Sequence, residues 1–75
     1  MTRLEAKIVI GLAKNGLNYS KTAKALYVCR NTVRYHVENI RESTGKDPRD
    51  FYDMIDLEKE ARKVLGYTAK QEETT

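Results

Sequence analysis

Arg30, Asn31, Thr32, Arg34 and Tyr35 fall within six consecutive residues. An arginine guanidinium can bond the edge of a guanine through two parallel N–H groups, and an asparagine amide can match an adenine edge in the same way. A threonine hydroxyl bonds a phosphate oxygen, its methyl group meets a thymine methyl, and a tyrosine hydroxyl reaches the backbone. Ser20 and Lys21, with Lys24 just beyond, add short and long donors suited to phosphate oxygens. Taken singly, each residue also has an ordinary reading. Surface arginines solvate helices, Asn31 suits a helix start, Thr32 is an indifferent helical residue and Tyr35 can lie along the helix surface. The elements that carry them decide between the two.

Those elements read as helices. Thr2-Arg3-Leu4-Glu5 has the form of a capping box, followed by Leu4, Ile8 and Leu12 at helical spacing with Val9 beside them, and Asn15-Gly16 as a stop. Gly11 lies inside this first helix, where a glycine suits a close crossing with another helix. Ser20 is the expected N-cap of a short second helix ending near Leu26, and Tyr27-Val28-Cys29 separates it from a third that begins near Arg30. The third carries Val33, Val37 and Ile40 on one stripe and ends at Thr44-Gly45. A fourth is expected to start with Asp47 as cap and Pro48 in its first turn. Phe51, Met54, Ile55, Ala61, Val64 and Leu65 would form its apolar side, and Gly66 would close it. No period-two strand pattern and no internal repeat is visible. The expectation is an all-α, small four-helix domain over residues 1–66, a three-helical core plus a C-terminal helix, with a flexible polar tail over residues 67–75.

Charge is distributed to match. The net charge is only +3, but Asn18–Lys46 carries six Lys/Arg against two acids, while Asp47–Thr75 carries five against eight. A positive field gathered on the segment holding the donors is what a phosphate-rich partner requires. The short helix, tight turn and longer basic helix form a helix-turn-helix between about Ser20 and Ser43, with Ala23 at the close approach and Leu26, Val28, Val33 and Val37 locking the pair. Many such turns place glycine where this chain has Tyr27.

Other chemistries find little support. Cys29 and His36 stand seven apart with no third ligand near, which falls short of the three or four a metal site needs. A nucleophilic Cys29 would lack a base suitably placed beside it. The acids Asp50, Asp53, Asp56, Glu58 and Glu60 are spread around their helix instead of gathered on it. No glycine-rich phosphate loop, paired-carboxylate site or triad is present, so no enzyme and no cofactor is expected. One cysteine allows no internal disulfide, and no apolar run approaches the roughly 18 residues of a membrane span. A cytoplasmic, nucleoid-associated protein with no membrane partner is expected.

The run from Asn18 to Val37, with Arg30-Asn31-Thr32-Val33-Arg34-Tyr35 as its most specific part, resembles the C-terminal helix-turn-helix domain of PucR/CdaR-type bacterial transcriptional regulators. Ile40, Thr44-Gly45 and Asp47-Pro48-Arg49-Asp50 extend the likeness, which spans roughly Leu4 to Leu65. A more distant similarity is to the Fis-type helix-turn-helix. The resemblance implies double-stranded DNA as partner, with Arg30, Thr32 and Arg34 at the expected contacts and Asn31 and Tyr35 as helpers. Regulators of that type carry a sensory region ahead of this domain. The resemblance therefore implies either a fragment, served by a sensory domain or a partner protein, or a stand-alone binder. A homodimer is expected, with the fourth helix and its Tyr52 and Met54 as the contact. The alternative is a helical protein-interaction module, an adaptor of a transcription complex that keeps the same shape without binding DNA. The acidic fourth helix is the feature that favours it.

Overall fold

A computed structural model describes residues 1–66; the polar tail expected over residues 67–75 lies outside the described residues. Four α-helices follow one another: α1 (Arg3–Lys14), α2 (Tyr19–Leu26), α3 (Arg30–Thr44) and α4 (Phe51–Val64). No strand occurs among the described residues.

The start of α1 is fixed by its own side chains. The Glu5 amide donates to Thr2 Oγ1 at 3.1 Å and the Thr2 amide donates to Glu5 Oε1 at 2.9 Å, closing the capping box. This helix is the centre of the domain. It packs against each of the other three, whereas α4 approaches α1 alone. Two buried faces explain why Ala6, Ile8, Val9, Ile10 and Leu12 all lie in the core, more than a single stripe would hold. Leu4, expected on that stripe, is 37% exposed, since it belongs to the first turn, at the edge of what the neighbouring helices cover.

The crossing of α1 and α2 depends on Gly11. A Cβ there would stand 2.9 Å from Thr22 Cγ2, and Thr22 is wholly buried with its hydroxyl donating to the Asn18 carbonyl. A methyl group at position 11 would have to displace a β-branched, hydrogen-bonded side chain. Gly16 and Leu17 both take positive φ in the connection that follows. Asn18 caps α2, its Oδ1 accepting the Lys21 amide at 2.9 Å. Ser20, expected as that cap, is instead an exposed residue of the first turn. The helix begins two residues earlier because Tyr19 packs against the core and Asn18 supplies the acceptor.

The fourth helix, by contrast, starts later than its sequence suggests. Its N-cap is Asp50, which accepts the amides of Tyr52 and Asp53, and not Asp47. Asp47 closes a separate turn, its carboxylate accepting the Arg49 amide at 2.9 Å. Pro48 is fully buried in that turn, ahead of the helix instead of inside it. The side of α4 facing α1 carries Met54, Leu57 and Ala61, with Val64 and Leu65 packed beside them. Phe51 and Ile55, expected on that side, are exposed, and Met54, expected at a surface contact, is buried. The apolar residues of α4 occupy a wider arc than α1 alone covers, so part of the arc is left in solvent.

Candidate nucleic-acid interface

Two valines and an isoleucine orient the third helix. Val33, Val37 and Ile40 are at most 1% exposed, and their spacing of four and three residues points one stripe of α3 into the core. The opposite side is thereby presented outward, and Arg30, Asn31, Arg34 and Tyr35 are exposed there. Thr32, adjacent to the buried Val33, is half-buried. Ser20, Lys21 and Lys24 are exposed on α2. The structure therefore leaves six of the seven residues singled out from sequence on the surface of α2 and α3, with Thr32 partly covered.

Their electrostatic state differs from that of their neighbours. Arg41 is held by Glu38 at 3.1 Å and by Asp47 at 3.8 Å, Lys46 by Asp56 at 3.2 Å, and Arg49 by Asp47 at 3.3 Å. Lys21, Lys24, Arg30 and Arg34 pair with no acid among the described residues. Of the six bases counted between Asn18 and Lys46, two are thus neutralised at the far end of α3 and four remain open near the turn. The carboxyl of Asp47 lies below its ordinary range, chiefly through the Arg49 amide hydrogen bond, helped by the Arg49 and Arg41 charges and opposed by partial burial. Its side chain raises the Arg49 guanidinium in return.

The turn between α2 and α3 keeps the left-handed conformation that glycine ordinarily supplies. Tyr27 takes φ 58° and ψ 41°, its amide and that of Val28 donating to the Ala23 carbonyl in a Schellman-type ending. Without glycine this costs about 1–2 kcal/mol, and the side chain is 96% exposed. The turn is followed by the only α-helix start among the described residues that lacks a side-chain cap: Cys29 is the N-cap residue of α3 but makes no capping hydrogen bond. No acid lies in the first turn of α3 either. The amides of Arg30 and Asn31 thus stand at the positive end of the helix dipole with no side chain accepting from them.

One side chain of α3 goes elsewhere. His36 is turned toward α1, with Nδ1 3.9 Å from the Glu5 carboxylate, too far for a hydrogen bond, and with no other partner for that buried nitrogen. The edge of the Tyr35 ring rests against it, centroids 5.3 Å apart. The sequence pattern puts His36 among the polar residues of α3. Its burial against Glu5 is a tertiary contact between residues 31 positions apart, and no local pattern signals it. No group of three metal-ligating side chains forms among the described residues, and no helix there is long and apolar enough to cross a membrane.

No curated protein and no solved structure matches this chain. The PucR C-terminal helix-turn-helix domain matches residues 8–62, from the middle of α1 to the last turn of α4. With most of its length covered and its helices in the order that motif requires, the chain belongs to the PucR C-terminal helix-turn-helix domain family.

Proposed function

We propose that this domain binds double-stranded DNA sequence-specifically in transcription regulation, with α3 as the recognition helix in the major groove. The observation that carries the reading is the outward face of α3. Arg30, Asn31 and Arg34 are exposed and free of internal acids on the helix whose other side is locked by Val33, Val37 and Ile40. Arginine and asparagine in that position match guanine and adenine edges, with Thr32 and Tyr35 beside them for the backbone or a thymine methyl. Ser20 and Lys21, at the first turn of α2, are assigned to phosphates, where the short helix of such a motif crosses the backbone. The uncapped amides of α3 favour an anion at the same place. Family membership supports the whole assignment. No step of this function requires bond chemistry, a cofactor or a metal, and its setting is the cytoplasm, at the nucleoid.

A single recognition helix reads few base pairs. Two copies with recognition helices roughly 34 Å apart, one turn of the duplex, supply the remaining specificity, so a homodimer is part of the proposal.

Fluorescence anisotropy with a random-sequence duplex across a salt series tests the reading. Binding that weakens as salt rises and collapses in Arg30→Ala/Arg34→Ala is the expected result. Absence of binding at low salt, or binding indifferent to both substitutions, would replace this reading with the protein-interaction module.

A further inference from the structure

Phe51 and Tyr52 are 71% and 78% exposed and Ile55 42%, an apolar patch at the start of α4. The patch borders a groove of about 440 Å³ lined by Ala13, Leu17, Met54 and Glu58 as well as Phe51 and Ile55, where the end of α1 meets α4. No described residue covers these side chains. In a monomer they would remain in water, against the usual economy of a domain this small.

We infer that this face is the surface on which a second copy of the chain docks, through an antiparallel crossing of the two α4 helices centred on Ile55. The inference deepens the proposal of a DNA-binding homodimer by assigning its interface. Phe51, Ile55 and Lys59 recur every fourth residue, so they form one stripe along α4, and all three are exposed. A two-fold axis at Ile55 makes that stripe complementary to itself. Ile55 meets its own copy, and Phe51 lies over Lys59 of the partner subunit on either side, an aliphatic centre flanked by two cation–π contacts. Lys59 forms no ion pair among the described residues, so its charge is available.

The charge order along the helix selects the antiparallel arrangement. The first half of α4 with its cap carries Asp50, Asp53 and Asp56 and no base, a net charge of −3, whereas the second half carries Lys59, Arg62 and Lys63 against Glu58 and Glu60, a net charge of +1. A parallel pair would set the three acids against three more. The antiparallel pair sets each acidic half against the weakly positive half of the other helix. Because α4 approaches only α1, pairing here leaves α2 and α3 of both copies uncovered. Two aromatic rings and an isoleucine fall short of the roughly 800 Å² each partner buries in a standard interface, so the free dimer is weak and forms in the high micromolar range.

A residue on a two-fold axis cross-links to itself, which gives a test independent of DNA. Ile55→Cys in a Cys29→Ser background, oxidised in the high micromolar range, is expected to form a disulfide-linked dimer rapidly. Glu60→Cys, on another exposed side of α4, is expected to stay monomeric. Adding Phe51→Ala or Lys59→Glu to the Ile55→Cys chain should slow dimer formation while circular dichroism keeps its helical signal, since both side chains are exposed. Cross-linking of Ile55→Cys no faster than of Glu60→Cys, or unchanged by Phe51→Ala and Lys59→Glu, would overturn the inference and leave the face to a different partner. Failure here with salt-sensitive DNA binding intact removes only the interface. Success here with no DNA binding keeps the dimer and removes the DNA reading.

Discussion

The starts of α3 and α4 are built in opposite ways. At α4, Asp50 accepts two backbone amides and Asp53 stands in the first turn, so the helix end is satisfied by the chain's own carboxylates. At α3, Cys29 accepts nothing with its side chain, no acid follows, and Arg30 and Arg34 add positive charge to an end already positive through its dipole. The first design closes a helix for the sake of the fold. The second leaves an end whose natural complement is an anion from outside. The contrast sets the start of α3 apart from the other three helix starts among the described residues, each of which has a side-chain cap.

Removing the open charges should produce the largest effect. Arg30→Ala/Arg34→Ala is expected to weaken duplex binding by about tenfold or more for each residue that meets a base edge. It should also flatten the salt dependence by roughly one unit of log–log slope for each phosphate left without its cation. Melting temperature should stay nearly unchanged, since both side chains are exposed. A fall in stability as large as the fall in affinity would show that the arginines serve the fold.

Breaking the closed end should do the converse. Asp50→Ala removes the acceptor for two amides and is expected to lower stability by about 0.5–2 kcal/mol, read as a shift in a urea midpoint, with duplex affinity per folded molecule retained. Transplanting the α4 design onto α3 sharpens the comparison further. Cys29→Asp supplies the missing cap and should stabilise the domain by up to about 1 kcal/mol, while its carboxylate occupies the amides and repels phosphate. Stability rising as affinity falls, in parallel urea and anisotropy measurements, is the expected signature. A rise in both would show that the α3 amides face no anion.

The smallest effect concerns the link between the two regions. Asp47, between the end of α3 and the cap of α4, is held below its ordinary value of 3.8 mainly by the Arg49 amide. A carboxyl whose pKa is lowered by folding contributes stability that is complete above the ordinary value and is lost as pH falls through the lowered one. Urea midpoints of the native chain and of Asp47→Asn should therefore differ most above the ordinary value of 3.8 and converge as the pH falls through the lowered one. Because Asp47 is largely solvated, the difference is small.

Much of this was legible in the residues. The Thr2–Glu5 capping box, the glycine end of α3 and the buried stripe of Val33, Val37 and Ile40 are set by contacts within three or four positions, which is the range a sequence pattern records. The close crossing at Gly11 was visible as a missing side chain, although only the packed structure shows that Thr22 is what fills the space. The N-caps of α2 and α4 were misplaced for a shared reason. Ser20 and Asp47 have side chains as suitable for capping as Asn18 and Asp50, and the choice was made by where Tyr19 and Pro48 become buried.

By itself, then, the sequence determined the number and type of helices, the core stripe of α3 and the identity of the outward donors, because local spacing and side-chain chemistry suffice for each. Tertiary structure alone decided which side of α4 faces α1, that Phe51 and Ile55 stay exposed while Met54 and Leu57 do not, and that His36 turns to Glu5. It also decided which cations are paired and which are open. These depend on surfaces contributed by residues distant in the chain, whose positions are fixed only once α1 is enclosed by the other three helices.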